Sequence, residues 1–352
     1  MGRLLIAGLR RLAAVAASLL IISAVLFGIF MLAPAEERAE LYLPPNSPPL
    51  LDPAIAARRL EAIIERHGLR DPYPQQYFRW LGRMLSGDWG WSPVLQGEVL
   101  PALIRRTPVT AELTLYSVLV YFPLGVAAGV LSGWRRHSRG DNLFRLLAFV
   151  GTSIPLFILG LFLLSIFYVG LNWFPPGRTG IVEVTLQTAG SFERHTGLLT
   201  LDGLLNGRPD VTLDALRHLA LPVFTLSLAH WATLGRITRA AIIEEQDKDY
   251  ITVARARGLR PSSIKWRHAL GNVLSPVLAS GMLSAAALVS GVFVVEAIFN
   301  FHGLSELLTR SARGAPDVPL ALGFAVYSVL LVLGVMVALD GLRGLADPRS
   351  RV

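Results

Sequence analysis

His230, Glu112, Glu296 and Asp340 stand in or at the edges of long apolar runs, where an ionisable group is a candidate proton relay or substrate contact. The three acids lie near run ends, within reach of water or a headgroup, so they are expected to act as topological anchors or local hydrogen-bond acceptors. His230 is likewise expected to be hydrogen-bonded. Covalent and metal chemistry have little to work with: the chain has no cysteine, which removes disulfides, thiolate nucleophiles and thiolate metal sites. It contains no G-x-x-x-x-G-K-[ST] phosphate loop, no H-E-x-x-H and no G-x-S-x-G. Neither ATP binding by this chain nor an intramembrane hydrolase is therefore supported.

Charge concentrates instead between two apolar runs, from Arg236 to Pro276. Eight basic residues fall there: Arg236, Arg239, Lys248, Arg255, Arg257, Arg260, Lys265 and Arg267. Ile242, Ile243, Tyr250, Ile251, Val253 and Ala254 recur among them at helical spacing, Glu244 precedes Lys248 by one turn, and Gly258 sits where a helix would stop. Pro261 with Ser262 and Ser263 offers a fresh helix start, continued by Ile264, Trp266 and Leu270 until Pro276. The pattern predicts a helix, a glycine-centred turn and a second short helix in water at a membrane surface.

The elements that hold this stretch are apolar. Of the 352 residues, 53% are hydrophobic and 16% charged, against about 25% charged in soluble domains, which reads as an all-α polytopic membrane protein. The net charge of +8 clusters beside the apolar runs, as membrane topology requires, and does not argue for a nucleic-acid partner. Residues 1–33 comprise an Arg-bearing start and a first span, the run from Leu12 to Ala33 being too long for a signal-peptide core of about 7–15 residues. Residues 34–108 read as an extracytoplasmic cap: a loop rich in proline (Pro44, Pro45, Pro48, Pro49), then amphipathic helices over Pro53–His67 and Gln75–Leu85, then Trp89 and Trp91 at the interface.

Residues 109–345 are expected to hold five more spans, at about 109–134, 143–171, 216–234, 277–299 and 320–339, and residues 346–352 a cytoplasmic tail. Gly125, Gly129 and Gly133 form a face for close helix approach, and Pro155 is expected to kink the third span. The outer segment 172–215 is polar, with some strand character at Ile181–Leu186. Basic residues after the second span and throughout 236–276 place those loops and both termini in the cytoplasm.

With this order in hand, the loop resembles the cytoplasmic EAA loop of ABC-importer permeases, and more closely its variant in the dipeptide/oligopeptide class. Thr252-Val253-Ala254 stand where E-A-A would be, Gly258 matches the glycine, and His268-Ala269-Leu270-Gly271 occupy the last element. The class commonly shows T-A-R-A-K-G and H-A-L-R-N-A-x-x-P, so Val253 replaces an alanine and Gly271 an arginine. His67 to Ser92 resembles the class's segment after the first span. Arg106, Pro108, Thr110 and Glu112 match its approach to the second. Glu296, Phe299, Gly303 and Leu304 fit E-x-x-F-x-x-x-G-L, Asp317 and Pro319 fit D-x-P, and Asp340 with Asp347-Pro348-Arg349 resembles the closing D-x6-D-P-R.

The resemblance implies a six-span permease subunit, not itself an enzyme, working with a second related permease subunit, two ATP-binding subunits and an extracytoplasmic substrate-binding protein in the inner membrane, with lipid around it. No cofactor is implied for this chain, ATP and Mg belonging to the partner ATPase subunits. The residues implied to contact the ATPase are Asp249, Tyr250, Thr252, Ala254, Arg255, Ala256, Arg257, Gly258, Leu259 and Pro261. The implied cargo is a peptide, with nickel chelates, glutathione or oligosaccharides as alternatives. A secondary transporter is the rival class, disfavoured because charged or broken helices at mid-membrane are not evident.

Overall fold

A computed structural model describes residues 2–40, 42, 53–180, 190, 192–311 and 317–346, without side-chain detail over 2–12, 14–15 and 338–346. The proline-rich loop at Pro44–Pro49, the strand expectation at Ile181–Leu186 and the closing Asp347-Pro348-Arg349 lie outside the described residues, as does the side chain of Asp340. In order, the elements are α1 (Gly2–Phe30), α2 (Ala35–Glu40), α3 (Pro53–His67), α4 (Tyr73–Leu85), a two-residue antiparallel pair β1 (Trp91–Ser92) and β2 (Gly97–Glu98), α5 (Val99–Trp134), α6 (Arg139–Ser153) and α7 (Leu156–Leu163, widening to a π-turn through Gly170). There follow α8 (Leu199–Leu205), α9 (Pro209–Gln246), α10 (Asp249–Ala256), α11 (Pro261–Ile298), α12 (Leu304–Ser311) and α13 (Val318–Ala346).

The protein is mostly helical, and among the described residues four helices are long and apolar enough to cross a membrane: α5, α9, α11 and α13. A fifth is available if α6 and α7 count as one broken span. They meet at 102° across Ile154 and Pro155, a corner where a kink was expected. Proline has no N–H to continue the ladder and drives the residue before it out of helix, and Ile154 is indeed extended at φ −86°, ψ 122°.

The chain divides into two compact units, Met1–Arg106 with Glu306–Leu333, and Thr107–Ser305 with Gly334–Val352. In the first, α4 lays Tyr73, Tyr77 and Trp80 along one face, and these rings gather around Phe27 of α1 at centroid distances of 5.1 to 5.9 Å. Arg38 is buried beside them and forms no salt bridge among the described residues. Its guanidinium instead donates to Gln76 Oε1 at 2.8 Å, Leu69 O at 2.7 Å and Ala33 O at 3.1 Å, which satisfies it in the way a buried cation requires.

In the second unit α5, α9 and α11 pack around a continuous apolar core that includes Leu113, Tyr121, Leu226, Leu234, Ile242 and Leu288. The glycine face of α5 lies directly on α9. A Cβ on Gly129 would stand 2.5 Å from both Gly235 O and Thr238 Cβ, and one on Gly133 2.8 Å from Arg239 O. Backbones this close leave no room for a side chain. Gly129→Val is therefore expected to cost about 1–3 kcal/mol or more by forcing the two helices apart, read as a lowered unfolding temperature of the purified protein. Gly271→Ala is the control: no atom lies within 4 Å of its Cβ position, so that variant should unfold no earlier than the parent.

Candidate functional site

The segment 236–276 proves to be a corner between two long helices rather than a separate helical hairpin. Helix α9 runs without a break from Pro209 to Gln246, so residues 236–246 are its own C-terminal end, and α11 begins at Pro261 and passes through Pro276. Nothing between Leu234 and Gln246 breaks a helix, and neighbouring helices tolerate a proline within a span. Only α10 stands between the two, and it does not continue α9 to Gly258 as one helix. On a single straight helix Ile242 and Ile251 would face opposite sides, since their separation amounts to about two and a half turns. The break at Asp247 and Lys248 lets both side chains enter the same core, where each is fully buried.

Helix α10 is thus anchored along one face and open on the other. Ile251 and Ala254 are buried, and Tyr250 is half-buried with its hydroxyl donating to Glu245 Oε1 at 2.8 Å; burial first, then that carboxylate, push its phenol up to about 12. Asp249, Thr252, Arg255, Ala256, Arg257, Leu259 and Pro261 are exposed. So is Val253, at 54%, which makes it part of the outward face even though the sequence pattern marked it only as a departure. Gly258 closes the helix in the left-handed region at φ +73°. The Leu259 amide bonds Ala254 O at 3.2 Å and the Gly258 amide bonds Arg255 O at 3.0 Å, the paired bonds of a Schellman stop.

At its base the corner is held by a buried ion pair that sequence reasoning did not single out. Asp141, fully buried in the first turn of α6, accepts from Arg239 Nε at 2.6 Å and Nη2 at 2.8 Å, from Ser132 Oγ at 2.5 Å and from the His137 amide at 2.9 Å. One carboxylate therefore ties α5, the turn after it and α6 to the end of α9. Gln246 adds a bond to Gly133 O at 2.8 Å. The available signal was the run Ser138-Arg139-Gly140-Asp141, an N-cap serine with an acid three residues on; Ser138 Oγ does accept from the Asp141 amide.

A family model described as "binding-protein-dependent transport system inner membrane component" matches residues 125–352, well over half of the chain. The chain belongs to that family. This transport component is 35% identical over 302 residues to the oligopeptide transport system permease protein AppB of Bacillus subtilis, covering 85% of this chain and 87% of that one. It is 34% identical over 301 residues to the di/tripeptide transport system permease protein DppB of Pseudomonas aeruginosa, with 86% of each covered. Among solved structures, an inward-facing form of the MetNI methionine ABC transporter superposes with a TM-score of 0.50 at 19% identity, covering 70% of this chain and 96% of that chain, a likeness of fold.

Glu112, well inside α5, and Glu296, near the end of α11, are buried rather than reaching water. Glu112 accepts from Arg178 Nη2 at 2.7 Å and from the amide and hydroxyl of Thr200 at 2.8 and 2.7 Å, tying Arg178 and the start of α8 to α5. Glu296 accepts from Thr110 Oγ1 at 2.5 Å and from the Ser305 amide at 2.9 Å, and a Cβ on Gly303 would collide with it at 2.1 Å. Asp317, in the other unit, accepts from Ser92 Oγ at 2.5 Å and the Leu320 amide at 3.0 Å. Several residues that carry the resemblance are thus carboxylates and the small residues that make room for them. His230 packs on Tyr121 with ring centroids 5.5 Å apart and makes no hydrogen bond among the described residues, so its expected bond is not found. No group of acids and histidines able to hold a metal occurs among the described residues.

Proposed function

We propose that this chain is a permease subunit of an ATP-driven peptide importer, and that the outward face of α10 with the Gly258 turn docks on a separate ATPase. The observation that carries the reading is the corner itself: a short helix with one face in the core and the other bare, closed by a fixed turn, lying directly between two membrane-length helices. A push on such an element reaches both helices, whereas a flexible loop would absorb it. The names of the relatives favour peptides over metal chelates, glutathione or sugars. Six spans follow if α1 crosses as the first and α6 with α7 as a broken third; the apolar stretch Ala16–Phe30 of α1 supports that count. The basic residues at the corner and after α5 support a cytoplasmic position for these elements and for both termini. The full machine would then hold a second permease, two ATPases carrying ATP and Mg, and an extracytoplasmic binding protein.

The test is purification of the tagged chain from native membranes. An ATPase and a second permease should come down with it, and the reconstituted complex should hydrolyse ATP faster when peptide-loaded binding protein is added. Recovery of the chain with no ATPase, or stimulation by sugars and metal chelates but not by peptides, would sink the respective part of the reading.

A further inference from the structure

Beside the corner, α5, α6 and the start of α11 enclose an open cavity of about 660 Å³ whose chemistry is divided. Arg135, Arg139 and Lys265 line it, and none of the three has an acidic partner among the described residues; the Lys265 ammonium lies only over the ring of its neighbour Trp266, at 5.4 Å. The one acid in the wall, Asp141, is already neutralised by Arg239. Leu131, Leu143 and Leu147 complete the wall and are about half exposed, at 53%, 56% and 47%. Three uncompensated cations thus border bare leucines on helices of the membrane-spanning set.

We propose that this cavity binds one anionic phospholipid, its phosphate among Arg135, Arg139 and Lys265 and an acyl chain along Leu131, Leu143 and Leu147. The cavity's volume lies within the range of small-ligand sites, about 300–1,000 Å³, and being open it need hold only the headgroup and part of one acyl chain. Charge and apolar surface together choose the occupant. A soluble anion would leave the leucines bare, and a docked water-soluble protein would meet the basic rim but leave uncovered the leucines on the apolar helices α5 and α6. An anionic lipid satisfies both, as basic pockets between spans on the cytoplasmic side do. The inference rests on the proposed cytoplasmic placement of this end. It makes the lipid a brace, because the same wall carries the carboxylate that holds α9 in place.

The experiment uses the intact complex in nanodiscs of phosphatidylglycerol mixed with phosphatidylcholine, followed by detergent extraction and native mass spectrometry of retained lipid. Retention of phosphatidylglycerol well above its share is expected. Arg135→Gln, Arg139→Gln and Lys265→Gln together should abolish the preference, each cation being worth about fivefold, from about 1 kcal/mol per basic residue near an anionic surface. Millimolar inorganic phosphate should not displace the lipid. No preference in the parent complex, an unchanged preference in the triple variant, or displacement by phosphate each overturns the proposal. Placement is checked separately in this cysteine-free chain: Arg136→Cys, outside the cavity lining, should react with an impermeant maleimide only from the cytoplasmic side. Labelling from outside would refute the topology, whatever the lipid result.

Discussion

Arg239→Ala is expected to be among the most damaging single substitutions in the protein. It removes two charge-assisted hydrogen bonds from Asp141 and leaves a carboxylate with no solvent exposure facing only Ser132 Oγ and the His137 amide. Breaking a buried pair from one side costs about 3–5 kcal/mol, because the surviving charge stays desolvated. The readout is the yield and unfolding temperature of the complex in detergent. Asp141→Asn in the same background should recover part of the loss by removing the stranded charge, so the double variant should be more stable than Arg239→Ala alone. Equal stability of parent and Arg239→Ala would mean that the pair contributes nothing to holding α6 against α9.

That pair also marks where sequence reading stops. The apolar runs, the basic turns and the proline breaks are local, and they gave the class of protein and the position of the corner. Pro155 was visible as a disruption, but the size of the turn was not. It depends on what each half packs against, α6 on α9 and α7 on both α9 and α11, and a 102° corner was accordingly read as a kink. The reading of a single amphipathic helix from Ile242 to Gly258 failed for a similar reason. Helical periodicity over Ile242 to Ile251 survives if two polar residues are skipped, and only the shared core shows that both isoleucines must face one way. Glu112 and Glu296 were legible as unusual but not as buried. Their partners, Arg178, Thr200, Thr110 and Ser305, come from segments far away in the chain or across a turn, and spacing cannot announce such pairings.

Gly258, by contrast, was fully readable, and it yields the prediction with the largest functional effect. Its backbone sits at φ +73°, a conformation that costs a β-branched residue about 1–3 kcal/mol, while no atom lies within 4 Å of where a Cβ would go. The penalty of Gly258→Val is therefore conformational and not steric. Because the turn is exposed and uncrowded, the chain can escape the strain by abandoning the left-handed geometry. That breaks the bonds from Leu259 to Ala254 and from Gly258 to Arg255, and re-aims Leu259, Arg260 and Pro261. The core below, with Ile251, Ala254 and Ile264, need not move, so the variant should assemble and unfold near the parent temperature. What should fail is transmission: uptake should fall at least tenfold, and ATP hydrolysis should lose its response to loaded binding protein. Gly258→Asn separates this account from a simple need for a small residue, since asparagine adds a side chain of similar bulk yet tolerates the left-handed region. It should retain most of the transport. Loss of coupling in both variants alike would point to a contact with the glycine itself, and coupling unchanged in the valine variant would remove the turn from the path between ATPase and spans.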